Sequence, residues 1–315
     1  MAKEVKKPRS KPAAAGGRVR QLTKKQSRAK AKKAVKTRQP LPGSFRLSWR
    51  VLRIFRQHWK TLGGIVLVYL LLNIVFASGI SNASTAFSTI KTDLQASGGP
   101  NFTSAAGGFA SLVGSAGASG SSTGSTLQSV LFVIESLVII WALRHLLSDQ
   151  PISVKAAYYR SMAPLIPFLL VIFVIIIQLL PVTIGATVFA AIVTSVFPGT
   201  GLASVLSAIA VIFLAIWSLY MVSSSIFALY IVTLPDMQPR QALRSARDLV
   251  SYRRLTVIRK VLFLPLLILV VMGLVIVPLI LAVSVVVPAV FYILSMLAIL
   301  FIHTYLYSLY RGMLE

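Results

Sequence analysis

Two side chains in the interior of this chain's long apolar stretches can ionise: the carboxyl of Glu135 and the imidazole of His303. A carboxyl and an imidazole in contact inside a membrane pass a proton, hold a cation or orient a polar substrate. The same two groups also make a simpler structural bond, in which a protonated Glu135 bridges two helices. An acid at the centre of a span costs about 2.5–3.5 kcal/mol on insertion, and the neighbouring apolar side chains from Leu131 to Leu143 return roughly 3–5 kcal/mol. The segment therefore inserts, but Glu135 needs a partner or a neutralising proton. Glu135 precedes Arg144 by nine residues, and His303 precedes Arg311 by eight. With 1.5 Å of rise per helical residue, both lie roughly 12–14 Å above the basic boundary of the apolar layer. A Glu135–His303 contact is expected, with Tyr305, Ser223 or Asn73 beside it.

Other chemistry is scarce. One Glu and one His, without metal-ligand spacing, do not assemble an acid, a base and a nucleophile. Cysteine is absent, which excludes disulfides, thiolate metal sites and thiol nucleophiles. The expectation is a non-enzymatic protein without a cofactor or a metal.

The elements that position Glu135 and His303 follow from composition. Of 315 residues, 56% are hydrophobic and only 12% are charged. Soluble domains carry roughly 25% charged residues, so this chain cannot cover its apolar surface in water. Six stretches are long and apolar enough to cross a bilayer, which takes about 20 residues. They are Leu62–Ile80, Leu127–Leu147, Pro164–Val196, Leu202–Leu234, Val257–Ser284 and Ala289–Tyr310. The third, fourth and fifth exceed one membrane thickness, so they must tilt, project or break at Pro181 and Pro278. The last two are joined by a reversal over Ser284–Pro288, since the residue before a proline disfavours helix. The fold class expected is all-α, a polytopic transmembrane helix bundle.

Charge is distributed unevenly. Residues 1–60 hold 20 Lys/Arg against Glu4, whereas residues 61–315 hold 12 against six acids. Residues 1–44 are basic and nearly free of large apolar side chains, so burial cannot offset the entropy of ordering them. A disordered tail is expected there, drawn to anionic headgroups by roughly 1 kcal/mol per basic residue near the surface. Contact with nucleic acid or the ribosome is the less favoured reading, because no aromatics are interleaved in the tail. The membrane domain spans 45–315. Its segment 81–126, rich in Ser and Gly, is expected to be an extracytoplasmic loop with at most a short interfacial helix around Phe102–Val113. Glycosylation patterns at Asn82 and Asn101 are common by chance. Basic residues concentrate in alternate loops: Arg144, Lys155 and Arg160 in one, and Arg240 to Lys260 in another. Under the positive-inside rule this puts both termini in the cytoplasm of a cell-membrane protein.

A threefold repeat organises the spans. Gln39-Pro40, Gln150-Pro151 and Gln238-Pro239 each precede a basic segment and then a helix pair. In the first, Arg46, Arg50, Arg53, Gln57 and Lys60 form one helical stripe, with Phe45, Trp49, Leu52, Phe55 and Trp59 beside it and Val51 and Ile54 widening the apolar arc. In the third, Arg240, Arg244, Arg247, Ser251 and Arg254 repeat the spacing, with Ala242, Ala246, Leu249 and Val250 behind. The middle copy, Ser153–Met162, is shorter and less charged. Such helices lie in the headgroup plane, rings at the interface and guanidinium groups on phosphate. The eight basic residues are the candidate headgroup-binding set.

The segment Pro239-Arg-Gln-Ala-Leu-Arg-Ser-Ala-Arg-Asp-Leu-Val250, followed by Tyr252-Arg-Arg254 and a span, resembles a bacterial six-span family, the membrane domain associated with glycerophosphoryl diester phosphodiesterases. Phe45 to Lys60 offers a weaker echo, and the similarity would extend over about residues 44–315. In that family the phosphodiesterase chemistry belongs to a separate soluble domain that uses His, Glu and metal. The histidines here are His58, His145 and His303, so the resemblance implies the membrane architecture and not the activity.

Together these readings favour a non-enzymatic envelope or lipid-associated scaffold, or a regulatory membrane domain. Its partners would be the bilayer, anionic headgroups and other membrane proteins. The alternative is a small-molecule or ion transporter with a polar site around Glu135 and His303. A permease needs several convergent polar groups, and Glu135, His303, Asn73 and Gln178 are a thin set.

Overall fold

The computed structural model describes residues 42–77, 109, 122–197, 201–235, 237–251, 253–282 and 284–314. Most of the basic tail, nearly all of the 81–126 segment and both glycosylation patterns lie outside the described residues, as does the short helix expected there, Phe109 apart.

Within them the chain is helical, in three units that each pair a short amphipathic helix with a hairpin of long apolar ones. The first unit is α1 (Ser44–Gln57), α2 (Trp59–Ala77) and α3 (Ser122–Leu146). The second is α4 (Val154–Ser161), α5 (Leu165–Val196) and α6 (Gly201–Ser225), with a further turn α7 (Ala228–Ile231). The third is α8 (Pro239–Val250), α9 (Arg254–Ala282) and α10 (Val287–Leu314). Six helices are long and apolar enough to cross a membrane, which makes this an all-α polytopic bundle. Because the long helices alternate in direction, α1, α4 and α8 fall at the same end of the bundle. That basic end is closed in part by Arg311, which donates to the Leu147 carbonyl at 2.8 Å.

The expected breaks differ from the observed ones. The helix α5 runs through Pro181, and α9 through Pro265 and Pro278. A proline removes one backbone bond, and a helix whose neighbours re-satisfy the freed groups carries on past it. Instead the fourth span is interrupted after Ser223-Ser224-Ser225. Ser223 and Ser224 donate to the carbonyls of Tyr220 and Met221 three residues back, a side-chain bond that competes with the helical ladder. The chain restarts as α7. The reversal near Pro288 is a 3-10 turn, Ser284–Val286.

The centre of the bundle is α3 against α10, flanked by α2, with Leu137, Ile139, Ile140 and Leu143 fully buried. The α5–α6 hairpin packs chiefly on itself and leaves long apolar faces outward. At 32 residues α5 extends about 48 Å, beyond the ~30 Å hydrocarbon layer. At the end opposite the amphipathic helices, Phe109 is buried against Met272, Ile276, Val287 and Phe291. Gly273 makes room for that ring: a Cβ there would stand 3.3 Å from Phe109 Cε1.

Candidate functional site

Glu135 and His303 are both buried, at 1% and 7% exposure. No hydrogen bond joins them. His303 reaches α3 at Ser136, the residue after Glu135, with Nε2 3.1 Å from Ser136 Oγ. Ser136 itself donates to the Phe132 carbonyl at 2.7 Å. Its oxygen is therefore the acceptor, and His303 carries its proton on Nε2. The other ring nitrogen, Nδ1, then accepts from the Tyr230 hydroxyl, 3.3 Å away on α7. The imidazole is thus held at both nitrogens, which ties α10 to α3 and α7.

Glu135 turns the other way. Its Oε2 lies 2.8 Å from the Tyr158 hydroxyl, which is also 3.2 Å from the Ile65 carbonyl on α2. Tyr158 has one proton and faces two acceptors. With Glu135 ionised, Tyr158 donates to Oε2. With Glu135 protonated, Glu135 donates to Tyr158, which donates onward to Ile65, and both bonds are made. Oε1 is buried without a hydrogen-bond partner among the described residues. Burial and the neighbouring Glu135 push the Tyr158 phenol above its ordinary value, so it remains a donor at neutral pH.

Tyr158 is the residue that sequence reasoning missed. The helix α4 begins at Ser153, whose side chain accepts from the Ala156 amide at 3.3 Å, a standard start for a helix. Ala157 and Ser161 are its buried positions, and the Tyr158 hydroxyl reaches in beside them. The only sequence signal was that stripe, Val154, Ala157, Tyr158 and Ser161, on one helical face. Of the other expected neighbours, Asn73 is fully buried and donates to the Tyr69 carbonyl at 3.1 Å. Tyr305 donates to the Lys260 carbonyl at 3.3 Å. Gln178 is on the peripheral helix α5, and its Oε1 has no partner among the described residues.

The headgroup candidates divide in two. The helix α1 has three faces. Leu47, Val51 and Ile54 are buried on the bundle; Phe45, Trp49 and Leu52 are exposed at 75%, 69% and 51%; and Arg46, Arg50 and Arg53 lie on a third, exposed face. Lys60, just inside α2, is exposed. In α8 the small residues Ala242 and Ala246, with Val250, are buried, so its apolar side is committed to the protein. Arg240, Arg244 and Arg247 stay exposed. Arg254 departs from the stripe. It opens α9 and its guanidinium lies 4.1 Å from the Tyr220 ring centroid, a cation–π contact. Lys260, expected in the basic loop, is instead buried within α9 and donates from Nζ to the Pro42 carbonyl, which pins the start of α1 to the third unit.

Two clefts remain. One, of about 870 Å³, opens between α3, α5 and α10 and is lined mainly by apolar side chains such as Phe132, Leu169 and Ile299. The other, of about 640 Å³, lies at the basic end between α3, the start of α5 and the chain after α7. Neither is lined by Glu135 or His303. Among the described residues no three His, Asp or Glu side chains converge to hold a metal ion. No family model, curated protein or solved structure matches this chain.

Proposed function

We propose that the chain is a non-enzymatic, lipid-associated scaffold of a cell membrane, with the basic end facing the cytoplasm. The observation that carries this reading is α1. One helix is docked on the bundle by Leu47, Val51 and Ile54, while it turns an aromatic stripe and an arginine stripe outward on separate faces. A helix built this way places rings among acyl chains and guanidinium groups on phosphates at the same time. The basic face of α8, at the same end, extends the platform. The resemblance to the membrane domain associated with glycerophosphoryl diester phosphodiesterases agrees with a supporting membrane role, with lipid or another membrane protein as the partner.

The test is lipid retention. Purified protein in nanodiscs of mixed phosphatidylcholine and phosphatidylglycerol should enrich the anionic lipid around it. Replacing Arg46, Arg50 and Arg53 by Ala together should abolish most of that enrichment. Equal retention by wild type and triple variant would overturn the reading.

A transporter reading is favoured by one observation, the buried and unpartnered Glu135 Oε1, since an intramembrane carboxyl with a free oxygen accommodates a transported ion or proton. Proteoliposome flux of protons and alkali cations separates the two. Flux above empty liposomes that disappears in Glu135→Gln would replace the scaffold by a transporter.

A further inference from the structure

The second cleft lies apart from the exposed arginine stripes of α1 and α8. Its lining includes Trp141, Arg144 and His145 from the end of α3, Arg160 from α4, Pro164 before α5 and Thr233 after α7, with apolar side chains such as Val232 and Leu234 between them. Arg144 is fixed in place. Its guanidinium donates to the Thr233 carbonyl at 2.6 Å, the Thr233 hydroxyl at 2.6 Å and the Tyr230 carbonyl at 3.1 Å. Three of its five N–H groups are used, and no carboxylate is among its partners in the described residues. The positive charge is therefore held rigidly, with donors to spare.

His145 is oriented as well. Its Nδ1 lies 2.9 Å from the Trp141 carbonyl, which can only accept, so Nδ1 carries the proton and Nε2 is left uncommitted. The imidazole stacks on the Trp141 ring at 3.9 Å between centroids. Arg160 also lines the cleft and makes no hydrogen bond or ion pair among the described residues. Asp236, between the lining residues Pro235 and Met237, lies outside the described residues. The cleft's place is equally specific: Arg144 and His145 end a membrane-crossing helix, and Pro164 precedes the next. A cavity of about 640 Å³ is far larger than a phosphate group and has room for the glycerol backbone beyond it.

We infer that this cleft between Arg144, His145 and Arg160 binds the phosphate headgroup of a membrane phospholipid, one molecule per chain. Basic pockets between helices at the cytoplasmic boundary suit such headgroups. In this site the fixed Arg144 and the exposed Arg160 contact phosphate oxygens, while His145 Nε2 accepts from a hydroxyl of a phosphomonoester or headgroup. The inference deepens the scaffold reading and rests on it for the basic end facing a lipid leaflet, but it concerns one defined site rather than the platform.

The experiment uses the full chain in detergent, titrated with short-chain phosphatidic acid, phosphatidylcholine or inorganic phosphate, and bound copies counted by native mass spectrometry. Arg160→Ala is the main variant, because Arg160 is exposed and its loss leaves folding intact. One phosphatidic acid should bind wild type, and Arg160→Ala should weaken it about tenfold, the loss of one charge-assisted hydrogen bond. Arg160→Lys should recover part of the affinity, and the Arg46/Arg50/Arg53 triple variant should keep this one copy. Unchanged binding in Arg160→Ala, alongside enrichment lost in the triple variant, overturns the cleft and leaves the scaffold reading standing. Neither variant losing lipid overturns both. Displacement of the lipid by an equal concentration of inorganic phosphate overturns a phospholipid as the ligand.

Discussion

Removing the Tyr158 hydroxyl tests the structural account of Glu135. In Tyr158→Phe the ring stays, so packing is preserved and only the contacts at 2.8 Å to Glu135 and 3.2 Å to Ile65 disappear. The Ile65 carbonyl keeps its helical bond, but Glu135 is left buried with neither oxygen paired. A stranded buried polar group costs about 1–3 kcal/mol. In a Glu135→Leu background nothing is stranded, and the same change removes only the bond to Ile65, worth about 0.5–1.5 kcal/mol. The difference, a coupling of roughly 0.5–1.5 kcal/mol, falls in the range of interhelical bonds measured in membranes, about 0.6 on average and 1.7 at most. Reversible unfolding in mixed micelles gives all four corners of the cycle. Hydrogen exchange adds a local readout, since α4 should lose protection in both single variants. A coupling indistinguishable from zero, or faster exchange nowhere near residues 154–161, would refute the idea that this pair docks α4.

Four further outcomes follow from particular contacts. The Tyr158 phenol is raised in the folded state, so its stabilising bond is complete below the unfolded value near 10 and fades as pH climbs through the folded one. Alkaline unfolding should therefore be steeper in wild type than in Tyr158→Phe. A Cβ at Gly64 would stand 2.9 Å from Val154 Cγ2, so Gly64→Ala should cost about 1–3 kcal/mol in the same micelle assay, relieved by Val154→Ala. Phe109→Ala empties its seat against Met272, Ile276 and Phe291 and should cost about 3–5 kcal/mol, read as a lower melting temperature in detergent. Because the chain has no cysteine, a single Ser245→Cys should label with an impermeant maleimide only after sealed cells are opened; labelling from outside would reverse the orientation.

The spans were legible because their signal is collective. Twenty or more apolar residues outvote any local feature, and observed boundaries such as Leu165–Val196 and Val287–Leu314 lie within a few residues of those read from hydropathy. The amphipathic helices were legible from spacing alone, but not what covers them: Ala242 and Ala246 read as an interfacial face and proved to be a packing face. Contacts between distant residues left no such trace. Matching depth pointed His303 at the level of Glu135, and a helix rotated by one position presents Ser136 instead. Tyr158 was hidden because a tyrosine near a membrane surface is ordinary, and nothing local says that its hydroxyl turns inward. The interruption before α7 left no trace beyond a run of serines, whose back-bonding to carbonyls does not by itself say that the helix stops there.

The hydrogen bond between Tyr158 and Glu135 also bears on how the chain is made. Glu135 enters the bilayer with the second span, and its partner is only 23 residues further along, so the donor is synthesised before the next hairpin exists. The first hairpin and α4 can thus settle as a unit whose acid is already partnered, without waiting for the ribosome to finish. The bond from His303 to Ser136 reaches across 167 residues and forms among the last. The first pairing needs only the first half of the chain, and the second needs nearly the whole of it.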